Sequence, residues 1–360
     1  MTEQIERRAF LIESGQLLVG ALALSFEQRE RRPSPLTELE KQLLPLMKEE
    51  HVPGVSLAVI TRGELGQRRA FGVKDAASEV PVDSATMFEA ASMSKPVFAY
   101  AVLKLWERGV LDLDTPLTHY TSSRFLEGDP RLDLITARHV LSHTTGFPNW
   151  RSASQPLSIA FTPGSRWSYS GEGYSYLQSV ITELTQQPIE EYMRRNIFEP
   201  FGMTSSGYVW NDTFGRLMAR PHGDAGQPME NKRSTAADAA RYASAGALLT
   251  TPTDYAKFML EILDPKGPDQ FRLKPSTIAL MVRPQVETHD KYNTAWGLGL
   301  AIYRTKNGEI VGHGGDNDGF HCTSLMSLPH NSGIVIMTNA DGGARLLYRL
   351  VTGDLLTPFL

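Results

Sequence analysis

Strand-forming runs at both ends of this chain, with a long helical stretch between them, constrain its fold more than any other feature. Near the start, Gly54 to Ile60 (GVSLAVI) is rich in β-formers, Arg62-Gly63-Glu64 has turn chemistry, and Gly66 to Gly72 suits a returning strand. Together they predict a hairpin. After Pro284 the pattern returns to strands at Trp296 to Tyr303, Glu309 to His313, Phe320 to Leu328 and Gly333 to Thr338. The separators, Lys306-Asn307-Gly308, Gly314 to Gly319 and His330 to Ser332, are turn-forming, so successive hairpins and an antiparallel sheet are expected. From Ser92 to about Met281 the pattern is mostly helical, broken by loops rich in Gly, Pro and Ser such as Phe147 to Gln155 and Gly223 to Asn231. Ala236 to Ala247 is alanine-rich, but Tyr242 and the following Leu248-Leu249 mark a packed segment rather than a linker. An amphipathic helix over Leu36 to Glu50, kinked or restarted at Pro45, precedes the first strand. Ala344 to Leu356 closes the pattern as a helix. The expected fold class is α+β, an α/β sandwich. One sheet is assembled from residues 36–91 and 285–360, and a mainly helical region, 92–284, is inserted between them. No internal repeat is present.

Composition narrows the function classes. Of 360 residues, 41% are hydrophobic and 21% charged, the balance of a globular protein with a large core. A net charge of −4 with no long basic run gives no support to nucleic-acid binding. The single cysteine, Cys322, excludes an intramolecular disulfide and a cysteine-rich zinc site. No run approaches the ~18 consecutive apolar residues of a membrane span. Residues 1–30 differ from the rest: Arg7-Arg8 precedes an apolar run from Leu17 to Leu24 that contains Ala21-Leu22-Ala23. Twin arginines before a modest apolar stretch and small residues resemble a bacterial twin-arginine signal, which predicts export to the periplasm. Glu13 and Gln16 interrupt that pattern, and an amphipathic helix on a cytoplasmic protein is the alternative.

Ser92-Met93-Ser94-Lys95 holds the most chemistry. A hydroxyl and an amine three positions apart share one helix face. Lys95 can therefore take the Ser92 proton and activate the serine without a Ser-His-Asp triad. The following residues, Val97, Phe98, Tyr100, Ala101, Val102, Leu103, Leu105 and Trp106, are apolar on nearly every side, as in a core helix that stops at Arg108-Gly109. A lysine at the head of such a helix loses hydration, and its pKa falls toward that of a neutral base. On these residues alone, a capping serine beside a snorkelling lysine is the better explanation of the tetrad.

Two further elements change that balance. Pro163-Gly164-Ser165-Arg166-Trp167-Ser168-Tyr169-Ser170-Gly171 supplies a tyrosine, and His313-Gly314-Gly315 ends a predicted strand. Ser-x-x-Lys, Tyr-Ser-x and a His/Lys-x-Gly strand, in that order, resemble the serine β-lactamase-related hydrolases. That group includes class C β-lactamases, DD-peptidases and β-lactamase-like carboxylesterases. Leu141-Ser142-His143-Thr144-Thr145-Gly146 is similar to its "LLSHTSG" segment, and Phe201-Gly202-Met203-Thr204 to its "LGMxxT" segment. The resemblance runs from about residue 36 to 360 and implies the β-lactamase/transpeptidase-like fold. It also implies a cofactor-free mechanism. Ser92 forms an acyl-enzyme, Lys95 and the Tyr169 phenol share the proton work, and backbone N–H groups of Ser92 and Asp316 hold the oxyanion. Lys95 and Tyr169 would titrate as a coupled pair, and the residues alone leave open which is the base.

Two departures bear on the substrate. Family members that act on β-lactams or peptides usually have Asn two positions after the tyrosine; here Gly171 stands there, with Glu172 adjacent. β-Lactamases and DD-peptidases usually carry Lys in the third motif; here it is His313, largely uncharged at neutral pH. Both changes weaken recognition of an anionic amide and are seen in the esterase-like branch. The expected activity is hydrolysis of small to medium carboxylic esters. The alternatives are a β-lactamase, a D-Ala-D-Ala carboxypeptidase or D-aminopeptidase, and a non-catalytic penicillin-binding-type sensor. The expected partner is a small-molecule ester or amide; oligomeric state is not legible.

Other candidates carry less. No Gly-x-Ser-x-Gly elbow exists for His143 to serve, so His143 reads as a residue holding a loop. His313 reads as a pocket residue. His321 and Cys322 are adjacent and point to opposite faces of a strand, so zinc with His313 is not supported and no metal site is expected. Asp316-Asn317-Asp318-Gly319 lacks the distal Glu of a calcium loop and reads as a turn, with Gly314-Gly315 suited to close approach of a substrate. Phe147, Trp150, Trp167, Tyr174, Trp210 and Trp296 are candidates for an apolar acyl pocket, Trp150 foremost because it lies in a loop. Asp112 and Asp114 read as loop and cap residues rather than an acid pair.

Overall fold

The computed structural model describes residues 34–289, 294–305 and 308–360. The twin-arginine segment and part of the predicted Lys306-Asn307-Gly308 turn lie outside the described residues. The first elements are helix α1 (Pro35–Glu49), with Pro45 inside it, and strands β1 (Gly54–Thr61), β2 (Glu64–Asp75) and β3 (Val80–Pro81). The mainly helical stretch then begins with strand β4 (Phe88–Ala91) and helix α2 (Ser94–Glu107). It continues with α3 (Ala137–Leu141), α4 (Gly171–Thr185), α5 (Ile189–Met193), α6 (Asp212–Leu217) and α7 (Ala236–Gly246). Strand β5 (Leu248–Thr250), α8 (Pro252–Leu263) and α9 (Pro275–Val282) complete it. Strands β6 (Val286–Glu287), β7 (Ala295–Trp296), β8 (Ala301–Thr305), β9 (Gly308–Asn317), β10 (Phe320–Ser327) and β11 (Ser332–Thr338) follow, then α10 (Gly343–Thr352).

Among the described residues, nine strands form one sheet in the order β3-β2-β1-β11-β10-β9-β8-β7-β6. The join between the early and late segments is the antiparallel pair β1–β11, in register from Val55↔Thr338 to Ile60↔Gly333. Every residue of β1 except Thr61 is buried, and so is all of β11, as expected for the centre of a sheet covered on both faces. Helix α8 packs over β1 and β11, and α10 over β10.

Helix α2 is buried from Ser94 to Leu105, which follows from its apolar circumference. It packs against α7, and α7 against α4, so the three elements meet around the head of α2. Strand β4 pairs with β5 and lies close to β9 and β10, which carries the chain segment before Ser92 to the edge of the large sheet.

Three expectations are corrected. The run Trp296 to Tyr303 is not one strand: it folds back between β7 and β8, where the Gly297 N–H donates to the Leu300 carbonyl at 2.8 Å. Gly299 there has φ +90°, and a Cβ on it would lie 2.5 Å from Ala99 on α2, so only glycine fits. The stretch Gly314 to Asn317 is not turn but a continuation of β9. A Cβ on Gly315 would sit 2.2 Å from the Ala90 carbonyl, so this glycine serves close packing of β9 on β4. Ser92 is not in the first helical turn either; it lies in the turn between β4 and α2, after Ala91 at φ +47°. Strands β4 and β5 escaped the sequence reading because each is short and flanked by strong helix patterns.

Candidate active site

The turn from Ala91 to Met93 lifts Ser92 to a half-buried position while Lys95, one helical turn on, points inward and is completely buried. Lys95 Nζ lies 3.1 Å from Ser92 Oγ and donates to the Ala245 carbonyl, at the end of α7, at 2.5 Å. No carboxylate pairs with it among the described residues. Burial without a counter-charge lowers the Lys95 pKa to about 7. The ammonium or amine also lies 4.8 Å from the centroid of the Tyr169 ring and 5.6 Å from that of Tyr174.

Tyr169 stands just before α4. Its position is built by His143, a buried residue at φ +55°. The His143 carbonyl accepts from Ser168 N–H at 2.8 Å, and Nδ1 accepts from Ser170 N–H at 3.0 Å. These two bonds bracket Tyr169, and the imidazole lies against its ring at 4.2 Å. His143 therefore holds a loop, as its sequence context predicts. Burial, with Lys95 nearby, holds its pKa well below the usual histidine range. Burial drives the Tyr169 phenol above its ordinary range, and a hydrogen bond with Ser92 opposes this.

His313 enters from β9. Its Nδ1 lies 2.5 Å from the Gly314 carbonyl, the geometry of a donated N–H, which leaves Nε2 as an acceptor with no partner among the described residues. Burial, reinforced by Lys95, lowers the His313 pKa to about 3, so the ring is neutral at ordinary pH. Trp296 packs edge-on to His313 and Tyr169, with centroids at 5.4 and 5.8 Å.

A cavity of about 310 Å³ opens over these groups. Ser92, Trp150, Tyr169, His313, Gly314 and Asp316 all line it, so the structure gathers six of the sequence-predicted positions around one space, with Lys95 beneath. Trp167 and Trp296 line it as well. The other aromatic candidates do not: Phe147 and Tyr174 are core residues, and Trp210 lies under Arg233. Gly171 and Gly315 are also corrected, since neither lines the cavity. Gly315 faces Ala90, and Gly171 is covered by Trp150, whose ring atoms would lie 2.7 and 2.8 Å from an added Cβ. Asp112 accepts from Asp114 and Thr115 N–H groups, and Asp114 pairs with Arg138 at 2.6 Å, so both are structural. His321 pairs with Asp316 at 2.7 Å and Cys322 Sγ donates to the Glu89 carbonyl, so neither turns toward His313.

Sequence reasoning missed the Ala245 carbonyl, Asn149, Tyr303 and Asn317 as parts of this site. A backbone carbonyl has no side-chain signal. Asn149 had one, since it adjoins Trp150 in the loop already singled out. No helix among the described residues is long and apolar enough to cross a membrane.

The geometry sets a serine hydroxyl 3.1 Å from a buried amine at the wall of a cavity. A family model described as Beta-lactamase matches residues 39–353, so the chain belongs to the Beta-lactamase family and is a β-lactamase-family serine hydrolase. It is 32% identical over 198 residues to Esterase EstB of Burkholderia gladioli; the match covers 45% of this chain and 49% of the esterase, about half its length. It is 26% identical over 339 residues to Penicillin-binding protein 4 of Amycolatopsis lactamdurans, covering 86% of this chain and 87% of that protein. Among solved structures, the octameric penicillin-binding protein homologue from Pyrococcus abyssi superimposes with a TM-score of 0.74 at 21% identity, covering 90% of this chain and 79% of that one. A β-lactamase/D-alanine carboxypeptidase from Pseudomonas syringae gives 0.72 at 19% identity, covering 89% and 99%. The fold is accordingly β-lactamase/transpeptidase-like, as the order of the motifs implied.

Proposed function

We propose that this protein is a carboxylesterase that works through an acyl-enzyme on Ser92. The observation that carries the reading is the fully buried Lys95, 3.1 Å from Ser92 Oγ and without a counter-ion among the described residues. Its pKa of about 7 makes the neutral amine available near neutral pH. The raised phenol of Tyr169 argues against a phenolate base and for a protonated donor. In the acylation step, Lys95 Nζ takes the Ser92 proton as Oγ bonds to the ester carbonyl carbon. The oxyanion is held by the N–H groups of Ser92 and Asp316, each worth about 2.7–4 kcal/mol in sites of this kind. As the carbon–oxygen bond breaks, the Tyr169 hydroxyl gives its proton to the leaving alkoxide and recovers one from the Lys95 ammonium. Water then attacks the acyl-enzyme by the reverse proton route and releases the acid.

The walls support an ester over an anionic β-lactam or peptide. No lysine or arginine is among the described residues lining the cavity, and His313 is neutral while Asp316 carries an acid. A substrate carboxylate would find no cation at the third motif. Three tryptophans line the space instead and suit apolar acyl groups.

Intact-mass measurement after incubation with p-nitrophenyl esters, a penicillin and a fluorophosphonate tests both parts. The expected result is a fluorophosphonate adduct on the wild type and none on Ser92→Ala, with ester turnover faster than penicillin turnover. An adduct that persists on Ser92→Ala would falsify the nucleophile, and faster penicillin turnover would overturn the substrate assignment.

A further inference from the structure

A second cavity, of about 410 Å³, shares a wall with the catalytic one. Its floor is one face of the large sheet. Side chains alternate along a strand, so Tyr303 on β8, Ile310 on β9 and Thr323, Leu325 and Ser327 on β10 share that face, as the pairings Tyr303↔Ile310 and Leu325↔Gly312 require. Val351, near the end of α10, and Leu356 beyond it close the space from the side. Arg304 at the rim is already held by Glu287 and Glu309, at 2.9 and 3.4 Å. Between the polar edges the lining is aliphatic: Ile310, Leu325, Val351 and Leu356. Such a wall takes an apolar chain rather than a charged group.

Two features join this space to the one above Ser92. Half-buried Tyr303 lines both cavities. Thr323, in the second, pairs across the sheet with Gly314, in the first. Gly314 keeps the way low: a Cβ on it would have only the Cys322 carbonyl oxygen within 4 Å, at 3.8 Å. Ala301, on the same face opposite Gly312, adds a single methyl group. The passage also lies on the leaving-group side of the proposed reaction, where Tyr169 gives its proton to the departing alkoxide. Tyr303 is near enough to act on that phenol: burial raises the Tyr169 pKa, and Asp316 and Tyr303 add to the rise.

We infer that the second cavity binds the apolar chain of the ester's alcohol, which runs from Ser92 over Gly314 and Tyr303 onto Ile310 and Leu325. The substrate class is then esters of long-chain alcohols. The inference rests on the esterase reading above and leaves the Ser92, Lys95 and Tyr169 chemistry unchanged. Burial of the remote chain supplies binding energy that raises kcat/KM.

The test measures kcat/KM for octyl acetate and ethyl acetate, by acid release, in wild type, Thr323→Phe and Val351→Trp. Thr323→Phe fills the cavity from its floor. Val351 is 43% exposed, so the tryptophan fills the cavity from its rim without entering the core. Both esters form the same acetyl-enzyme, so their ratio reads the alcohol alone, and a general effect on folding or on Lys95 cancels. The wild-type octyl-to-ethyl ratio should be at least about threefold, since each buried methylene is worth up to about fourfold. It should fall by more than about twofold in at least one variant. A smaller wild-type ratio, or ratios within about twofold of wild type in both variants, overturns the inference while ethyl acetate turnover keeps the esterase reading standing. Ethyl octanoate against ethyl acetate is the companion pair: a fall confined to that ratio in the variants puts the acyl chain in the cavity and overturns its assignment to the alcohol. Absence of Ser92-dependent turnover of every one of these esters by the wild type overturns the esterase reading and this inference with it.

Discussion

Helix α2 carries two buried lysines, one near each end, and their surroundings have little in common. Lys104, near the C-terminal end, donates to Glu107 Oε2 at 3.1 Å and to the Asp269 and Arg272 carbonyls at 2.8 and 2.6 Å. Three acceptors, one of them a carboxylate, compensate an ammonium for lost hydration. Lys95, at the N-terminal end, has one carbonyl and a serine hydroxyl. An ammonium there is under-compensated, and the proton is held loosely. The same residue type on the same helix is thus a structural cation at one end and, in the proposed mechanism, a base at the other. What separates them is the number and charge of the oxygens that the rest of the fold delivers.

Replacing each lysine in turn is the strongest way to break that contrast. Lys95→Met should lower kcat about 10²- to 10⁴-fold, the range for loss of a general base, as read from ester hydrolysis. Lys104→Met should leave kcat within about threefold. It should cost about 3–5 kcal/mol in denaturant unfolding, because Glu107 is left buried with less compensation.

Tyr169→Phe should lower kcat about 10²-fold without abolishing the fluorophosphonate adduct, since Lys95 still activates Ser92. An unchanged kcat would remove the phenol from the proton route.

Titration sharpens the comparison from another side. The active amine is neutral, so kcat/KM should rise with pH through about 7 and then level. Stability carries the same signature. Lys95 is charged in the unfolded chain up to about 10.5, the ordinary lysine value, but neutral in the folded protein above about 7. The unfolded state binds the extra proton in that window, so wild-type stability should climb with pH between those values relative to Lys95→Met. A Lys95→Met minus wild-type difference that stays flat across the window would show that Lys95 holds its proton when folded.

The smallest expected effect is at the cavity wall. Gly171→Ala should push Trp150 aside and cost about 1–3 kcal/mol. Adding Trp150→Ala should recover part of that loss, a non-additivity that two independent positions would not give.

Much of the site was legible before any coordinates. The i, i+3 spacing of Ser92 and Lys95, the apolar run after them, and the later Tyr169 and His313 motifs appear in order along the chain, and all lie around one cavity or directly beneath it. The two ends of the sheet were legible too, because alternating and β-branched runs declare strands directly. The break at Gly297 to Leu300 was not, since its two glycines answer to packing against Met281 and Ala99 rather than to a local turn pattern. Gly314 and Gly315 misled for the same reason: a glycine pair reads as a turn, whereas Gly315 is there because the Ala90 carbonyl leaves no room for a Cβ.

By itself, the amino-acid sequence determined which groups exist to do chemistry: a serine, an amine one helical turn on, a phenol, a histidine and a glycine where an asparagine is usual. The tertiary structure alone decided their states. Lys95 is poised near neutrality because its neighbours are Ala245 and two aromatic rings rather than a carboxylate. His313 is neutral because it is buried beside that lysine. Protonation and orientation depend on desolvation and on atoms brought close through space, and these come from segments as far apart in the chain as Lys95 and Ala245.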